Sequence, residues 1–293
     1  MDEWPLITVV TPSMNQGPFL EATIRSVLSQ GYPNLEYFVV DGGSTDESVD
    51  IIRRYADQLA WWVSEKDAGQ TDAILKGFSR SRGTVMNWLN SDDQLRPGAL
   101  FAVARAFSDK HSDLIAGRDR HFKVEPEAPE SIFQPAGYAF PGCLRFWDGN
   151  FRYHQPSTFF TRSAYERAGG LDRTLHFTMD YDLYCRILSD EGCRVLYLET
   201  ELSAFRLHDG AKTSNAKAGF IRELRQVSQR YWPLEWRGDM FAEMDAYSAK
   251  CSLHQAVEAF RKRQWRLGVQ ALTLSFRYSP RHAVFYPLSR LFA

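Results

Sequence analysis

Two adjacent carboxylates, Asp92 and Asp93, close the segment Asn90-Ser91-Asp92-Asp93, directly after the apolar run Thr84-Val85-Met86-Asn87-Trp88-Leu89. The run reads as a buried strand opened by Gly83, so the acids fall at its C-terminal end. Carboxylate oxygens suit a hard divalent cation such as Mn²⁺ or Mg²⁺, and such a cation suits a diphosphate. Three further polar segments could join them: Thr11-Pro12-Ser13-Met14-Asn15, Asp41-Gly42-Gly43-Ser44-Thr45-Asp46 and Ser64-Glu65-Lys66-Asp67-Ala68-Gly69. Any one of these alone is an ordinary turn or cap, because Asp, Ser, Gly and Asn are turn formers. Several acid-bearing segments that each follow an apolar run suggest one metal–phosphate site.

The elements that must position these residues follow from periodicity. Strands are expected at Leu6–Val10, Leu35–Val40, Ala60–Ser64 and Thr84–Leu89, with a weaker one at Leu114–Ala116. Helices are expected at Gly17–Gln30, Asp46–Tyr55, Thr71–Arg80 and Pro97–Phe107, with Asp46 as a cap. This βαβα alternation implies a mostly parallel sheet covered by helices, and such sheets bind ligands beyond the carboxyl ends of their strands. The four polar segments would then line one edge. From His121 to Asp148 the rhythm breaks, as for a loop or edge structure. Strands at Ser157–Thr161, Val195–Leu198 and Leu202–Phe205 follow, with helices at Ser163–Ala168 and Asp180–Asp190. From Ala216 onward the pattern is helical throughout.

With 293 residues, 44% hydrophobic and 24% charged, the chain can bury a full core. A net charge of -1 gives no reason to expect nucleic acid as a partner. Charge is uneven, however. Between Cys251 and Ala293, Arg261, Lys262, Arg263, Arg266, Arg277, Arg281 and Arg290 face one acid, Glu258, a local +6. Interleaved with Phe260, Trp265, Val269 and Phe276, they suggest either a helical hairpin with a solvated basic face or a peripheral membrane contact. The four cysteines form no CxxC pair and read as reduced thiols. The first residues lack a basic segment followed by an apolar one, and no run approaches the roughly 18 apolar residues of a membrane span. A cytoplasmic location is expected, at most peripheral at the inner face of the cell membrane.

In order along the chain, several motifs resemble those of the family 2 glycosyltransferases. They are Thr11-Pro12-Ser13-Met14-Asn15, Ser26-Val27-Leu28-Ser29-Gln30, Asp41-Gly42-Gly43-Ser44-Thr45-Asp46, Asp67-Ala68-Gly69-Gln70 and Asn90-Ser91-Asp92-Asp93. His154-Gln155-Pro156-Ser157, Ala168-Gly169-Gly170-Leu171-Asp172, Met179-Asp180-Tyr181-Asp182-Leu183 and Phe205-Arg206-Leu207-His208 continue the series. The resemblance spans about Leu6 to His208. It implies a GT-A fold, a Rossmann-like α/β architecture with a mixed, mostly parallel sheet. A catalytic domain over 1–212 is expected, with a nucleotide-binding half to about 120 and an acceptor-binding half beyond, followed by a helical extension over 213–293.

The same resemblance implies a nucleoside-diphosphate sugar donor, UDP-sugar favoured, and an inverting transfer to a saccharide or lipid-linked saccharide acceptor. The product would belong to surface polysaccharide or glycolipid biosynthesis. Thr11, Pro12 and Ser13 would border the nucleotide, Asp41 would meet the base, and Asp67 would make a second nucleotide contact. Ser91 lies within the D-x-D segment. Asp92 matches its last acid and would meet Mn²⁺ or Mg²⁺ together with His208, with Asp93 the alternative ligand. Asn90 departs from the first D-x-D acid and would contact the ribose. Leu75 departs from a common Asn.

Asp180 matches the family's base, the group that takes the acceptor's proton. An inverting transfer forms no covalent intermediate, so one acid suffices. The competing reading makes Asp180 a helix cap with Asp182 its solvated neighbour. Trp147, Tyr153, His154, Gln155 and Asp182 are candidate sugar or acceptor contacts, whereas Trp88 belongs to a strand and to the core. Two other reaction classes use paired acids. A nucleotidyltransferase calls for a basic Gly-rich loop, and Thr11–Gly17 holds no Lys or Arg. A metal-dependent phosphohydrolase and a non-catalytic nucleotide-sugar module remain the alternatives. A dinucleotide dehydrogenase is excluded because no GxGxxG follows the first strand.

Overall fold

A computed structural model describes residues 4–110, 112–208, 210–212, 217–233, 235–236 and 239–285. The chain divides into two compact units: Met1–Phe140 with Arg152–His208, and Pro141–Phe151 with Asp209–Ala293.

The first unit is built on one sheet. Its strands are β1 (Ile7–Ser13), β2 (Leu35–Asp41), β3 (Trp61–Ser64), β4 (Val85–Trp88), β5 (Gln94–Leu95), β6 (Leu114–Phe122), β7 (Ser131–Phe133), β8 (Thr158–Thr161) and β9 (Val195–Arg206). Their order is β3-β2-β1-β4-β8-β6-β9-β5, with β7 on β6. β1 runs parallel to β2 and β4, and β2 parallel to β3. β8 is antiparallel to both β4 and β6, which makes the sheet mixed.

Every residue of β1 is buried, as a central parallel strand covered on both faces requires. On one face, α1 (Gly17–Leu28), α2 (Ser48–Arg54) and α4 (Ala99–Lys110) bury Leu20, Ile24, Ile52, Leu100 and Val103 against Ile7, Val9, Val39 and Ile115. On the other face lies α3 (Gln70–Arg80), whose Gly77 sits so close that a Cβ there would meet Val10 Cγ1 at 2.6 Å. Trp88 is 1% exposed and packs edge-to-face on Phe78 and Phe160, the core role expected of it. α5 (Arg162–Arg167) and α6 (Met179–Leu188) complete this unit.

Two strands are longer than hydropathy suggests. β6 runs on through Arg118, Asp119, Arg120 and His121, and β9 is one strand of 12 residues where two short ones were expected. The reason is cross-strand pairing: Arg118 meets Glu199 and Arg120 meets Glu201 across an irregular stretch of the ladder, so the charged side chains neutralise one another between the strands.

The second unit contains α7 (Lys217–Tyr231), α8 (Asp239–Arg261), α9 (Trp265–Tyr278) and α10 (Pro280–Phe285). α8 and α9 form a hairpin closed at Gly268, where a Cβ would strike the Phe260 ring at 2.3 Å, and Ser275 Oγ donates to Ala249 O at 2.8 Å. Residues Pro141–Phe151 group with these helices and not with the sheet, which differs from the expected single division near 212. Ser228 Oγ caps the carbonyl of Leu144 at 2.8 Å, and Phe146 packs edge-to-face on Tyr247. Among the described residues no helix is long and apolar enough to cross a membrane. Arg290 lies outside the described residues.

Candidate active site

Parallel pairing brings the C-terminal ends of β1, β2 and β3 into one row, with Ser13 beside Asp41 and Asp41 beside Ser64. Asp41 is fully buried. Its Oδ2 accepts from Gly43 N at 3.1 Å, Ser44 N at 2.9 Å and Ser64 Oγ at 2.7 Å, and its Oδ1 accepts from Ser44 Oγ at 2.5 Å. These four bonds match in number the roughly four acceptor positions of a carboxylate. Oδ1 carries only one of the four, so a base N–H reaching Asp41 would share that oxygen with the Ser44 hydroxyl or take its place. Beside it, Ser13 Oγ is buried with no hydrogen-bond partner among the described residues. Thr11 Oγ1 lies 3.0 Å from the Tyr37 hydroxyl, and Pro12 is buried beside Val40.

Asp67 reaches this row because Gly42 has no side chain: a Cβ there would stand 2.7 Å from Asp67 Oδ2. Asp67 Oδ1 accepts from Gly69 N at 2.8 Å, and Gly69 holds φ +117, a conformation open to glycine. Asp46, expected as a cap, serves two elements. Its Oδ1 accepts from Ser48 N at 3.0 Å, and its Oδ2 from Gly17 N at 2.9 Å, which ties the start of α1 to the loop after β2.

The acid-bearing loop follows β4. Asn90 Oδ1 accepts from Gln70 Nε2 at 2.7 Å, and Asn90 Nδ2 donates to Asp93 Oδ2 at 3.3 Å. Thr23 Oγ1 on α1 meets two carbonyls of the loop, Ser91 O at 2.9 Å and Asp93 O at 2.7 Å. Asp93 is fully buried and also accepts from Arg206 N at 3.1 Å. Burial pushes its carboxyl well above the usual range, and the charges of Asp92 and Asp119 add to that rise. Asp93 therefore anchors the loop from inside.

Asp92 points the other way. Its Oδ2 lies 3.0 Å from His208 Nε2, with the two side chains 21% and 17% exposed. Residues 116 apart in sequence thus share one spot. His208 packs against the Phe19 ring at 4.8 Å, and Arg206 covers Phe19 and Phe122 at 5.0 and 4.4 Å. A carboxylate oxygen and an imidazole nitrogen at this separation, both partly open to solvent, form a donor set that fits a divalent cation.

Asp180 lies in the first turn of α6, half-buried, where the helix dipole favours a negative charge. Its Oδ1 accepts from Tyr181 N at 2.8 Å. Tyr138, Tyr153 and Tyr184 stand close enough that Asp180's charge reaches their phenols, which burial chiefly, and that charge in addition, push above the usual range. The segment entering α6 is fastened to α3, because Thr71 Oγ1 donates to Leu175 O at 2.8 Å. α3 in turn holds Asn90 through Gln70.

Two expected contacts, Asp182 and Gln155, are spent inside the fold. Asp182 is neither a solvated neighbour nor placed for an acceptor: it is fully buried and Arg186 holds Oδ2 at 2.5 Å through Nη2 and 2.9 Å through Nε. Gln155 is 6% exposed and spends Nε2 on Asn87 Oδ1 and Trp88 O, while its Oε1 is buried with no hydrogen-bond partner among the described residues. Trp147 belongs to the second unit, where it stacks on Trp232 and donates to Glu243 Oε2 at 3.1 Å. His154 is paired with Asp119, 2.5 Å from Nδ1 to Oδ2. Thr23 and Asp119 carry no sequence signal of their own, whereas Gln70 and Arg206 stand inside motifs already singled out.

Solved structures share this architecture. TarS residues 1–349 from S. aureus, in complex with UDP-GlcNAc, aligns over 97% of this chain and 84% of its own, with TM-score 0.60 and 16% identity. The mannosyltransferase PcManGT from Pyrobaculum calidifontis, in complex with GDP-Man and Mn²⁺, aligns over 93% and 75%, with TM-score 0.59 and 18% identity. The fold is thus the GT-A α/β fold. In sequence, a PGL/p-HBAD biosynthesis glycosyltransferase of Mycobacterium bovis is 24% identical over 228 residues, 75% of this chain and 84% of that protein. An uncharacterized glycosyltransferase of Mycobacterium tuberculosis is 25% identical over 245 residues, 79% and 87%. The profile of Glycosyl transferase family 2 matches residues 8–169, more than half the chain, and the protein belongs to that family.

Proposed function

We propose that this glycosyltransferase moves a sugar from a nucleoside-diphosphate donor, UDP-sugar favoured, to a saccharide hydroxyl with inversion at the anomeric carbon. The observation that carries the reading is the meeting of Asp92 and His208 at 3.0 Å, beyond the strand ends where Ser13, Asp41 and Asp67 gather. Asp92 and His208 are the residues that would hold Mn²⁺ or Mg²⁺, which would supply positive charge to offset that of a departing diphosphate. The buried Ser13 hydroxyl supplies an unused hydrogen-bonding group beside the nucleotide row. The Ser44 hydroxyl can share or yield Asp41 Oδ1 to admit a base N–H. Asn90, held by Gln70, faces the ribose. The neighbours' complexes with UDP-GlcNAc and with GDP-Man and Mn²⁺ support a donor of this class.

Asp180 takes the proton of the acceptor hydroxyl as its oxygen attacks the anomeric carbon and the bond to the diphosphate breaks. Tyr138 and Tyr184 are buried beside it, and Tyr153, only partly buried, is the ring that can offer a face to a sugar acceptor. In the second unit, Trp265, Val269 and Phe276 are 66%, 57% and 42% exposed on one side of α9. The exposed cations Arg266 and Arg277 flank them. That face suits an anionic lipid surface and hence a lipid-linked acceptor at the inner face of the cell membrane, in glycolipid or surface polysaccharide synthesis. The metal assignment is tested by titrating UDP with and without Mn²⁺. Asp92→Ala and His208→Ala should each abolish the Mn²⁺-dependent gain in affinity. Full Mn²⁺ dependence in either variant would remove that residue from the site.

A further inference from the structure

A second cluster of metal-binding side chains lies in the first unit apart from Asp92 and His208. Asp119 and His121 stand two apart on β6, on one face of the strand, and His154 enters from the segment before β8. Their ligand atoms, one from each residue, all lie within 4.8 Å of one another. Asp119 Oδ2 is 2.5 Å from His154 Nδ1 and 3.6 Å from His121 Nε2. All three atoms are buried, and apart from these ion-pair contacts with one another none has a hydrogen-bond partner among the described residues. Orphaned buried polar atoms are costly and rare, and three converging on one point share one explanation.

A simple His–Asp pair accounts for less. It would satisfy His154 but leave His121 Nε2 buried and aimed at the same oxygen, with the two imidazoles 4.6 Å apart. A cation satisfies all three. Ligands at about 2.1 Å from a tetrahedral ion lie about 3.4 Å from each other, close to the His121–Asp119 separation, and the His154–Asp119 contact has to open by about 1 Å. The carboxylate is already oriented, since Ser203 Oγ donates to its other oxygen at 2.5 Å, the outer hydrogen bond usual behind a metal ligand. Phe133 and Phe205 wall both imidazoles, which keeps the site apolar around its three donors.

We propose that Asp119, His121 and His154 form a site for a zinc-type divalent cation. Two imidazoles and one carboxylate favour Zn²⁺, whereas Mn²⁺ and Mg²⁺ prefer oxygen-rich sets. The ion would fasten β6 to the segment carrying Gln155, whose Nε2 holds Trp88 O at 2.6 Å just ahead of the Asn90–Asp93 loop. Its role is therefore to position that loop, and it does not depend on the donor reading.

The test uses the full chain carrying Asp92→Ala and His208→Ala together, so that the donor-side ligands are gone. After dialysis against Zn²⁺ alone, that protein should retain one equivalent per chain, and Co²⁺ in its place should give the visible absorption of a low-coordinate site. Adding His121→Gln or His154→Gln should weaken Zn²⁺ binding at least a hundredfold, with unchanged far-ultraviolet circular dichroism. A double variant that binds no Zn²⁺ overturns the proposal. So does wild-type-like Zn²⁺ retention in either glutamine variant.

Discussion

Thr23→Val is the most informative single change outside the acids themselves. Valine keeps the shape of threonine and removes only the hydroxyl, which now meets Ser91 O at 2.9 Å and Asp93 O at 2.7 Å in a fully buried setting. A buried hydrogen bond contributes about 0.5–1.5 kcal/mol, and leaving its partner unsatisfied costs about 1–3 kcal/mol. With two carbonyls sharing one donor, a loss of about 2 kcal/mol is expected. For a chain of this size that lowers the melting temperature by roughly 4–8 °C. The functional effect is separate. The loop that carries Asp92 loses its tie to α1, so UDP affinity in Mn²⁺ should fall by about tenfold if roughly 1.4 kcal/mol of reordering is charged to binding. Thr23→Ser, which restores the hydroxyl, should recover most of the binding. Differential scanning fluorimetry and calorimetric titration read both quantities. A valine variant that melts and binds like wild type would refute the claim that α1 positions the acid loop.

Two further outcomes follow from other parts of the molecule. Glu36 is 5% exposed, and burial raises its pKa. The bonds from Arg82 N, Arg82 Nε and Thr8 Oγ1 outweigh that and leave it below the usual value. A depressed folded-state pKa gives stability that is complete above the unfolded value and lost as pH falls through the folded one. Glu36→Gln should therefore cost about 1–3 kcal/mol near neutrality and progressively less as pH falls below the ordinary glutamate range, as urea denaturation across pH would record. Vesicles test the α9 face. The protein should co-float with vesicles containing anionic phosphatidylglycerol and not with purely zwitterionic ones, and Trp265→Ser with Phe276→Ser should abolish it. Equal binding to both vesicle types would discard the charge argument.

The parallel core and the row of strand ends were legible because hydropathy and turn residues mark them: β1, β2 and β3 end where Ser13, Asp41 and Ser64 stand. The pairing of Asp92 with His208 was legible only through the order of motifs, since no local pattern links residues 116 apart. Charged strands were not legible. The expected strand stops at Ala116 and the loop is expected from His121, whereas Glu199 and Glu201 on β9 neutralise Arg118 and Arg120 and let β6 run on to Phe122. That same misreading hides Asp119 and His121 as partners of His154. Asp182 was misjudged because spacing alone does not reveal that Arg186, one turn on, buries with it.

The central claim is that Asp180 removes the acceptor's proton while the residues at the strand ends hold the donor. Asp180→Asn keeps the size of the side chain and its place in the first turn of α6. Once a donor is found by screening UDP-, GDP- and dTDP-sugars, the decisive measurement compares its affinity with single-turnover transfer in this variant. The account predicts donor affinity within about twofold of wild type and transfer reduced at least a hundredfold, the range a positioned general base supplies. Transfer at the wild-type rate with donor binding intact would contradict it.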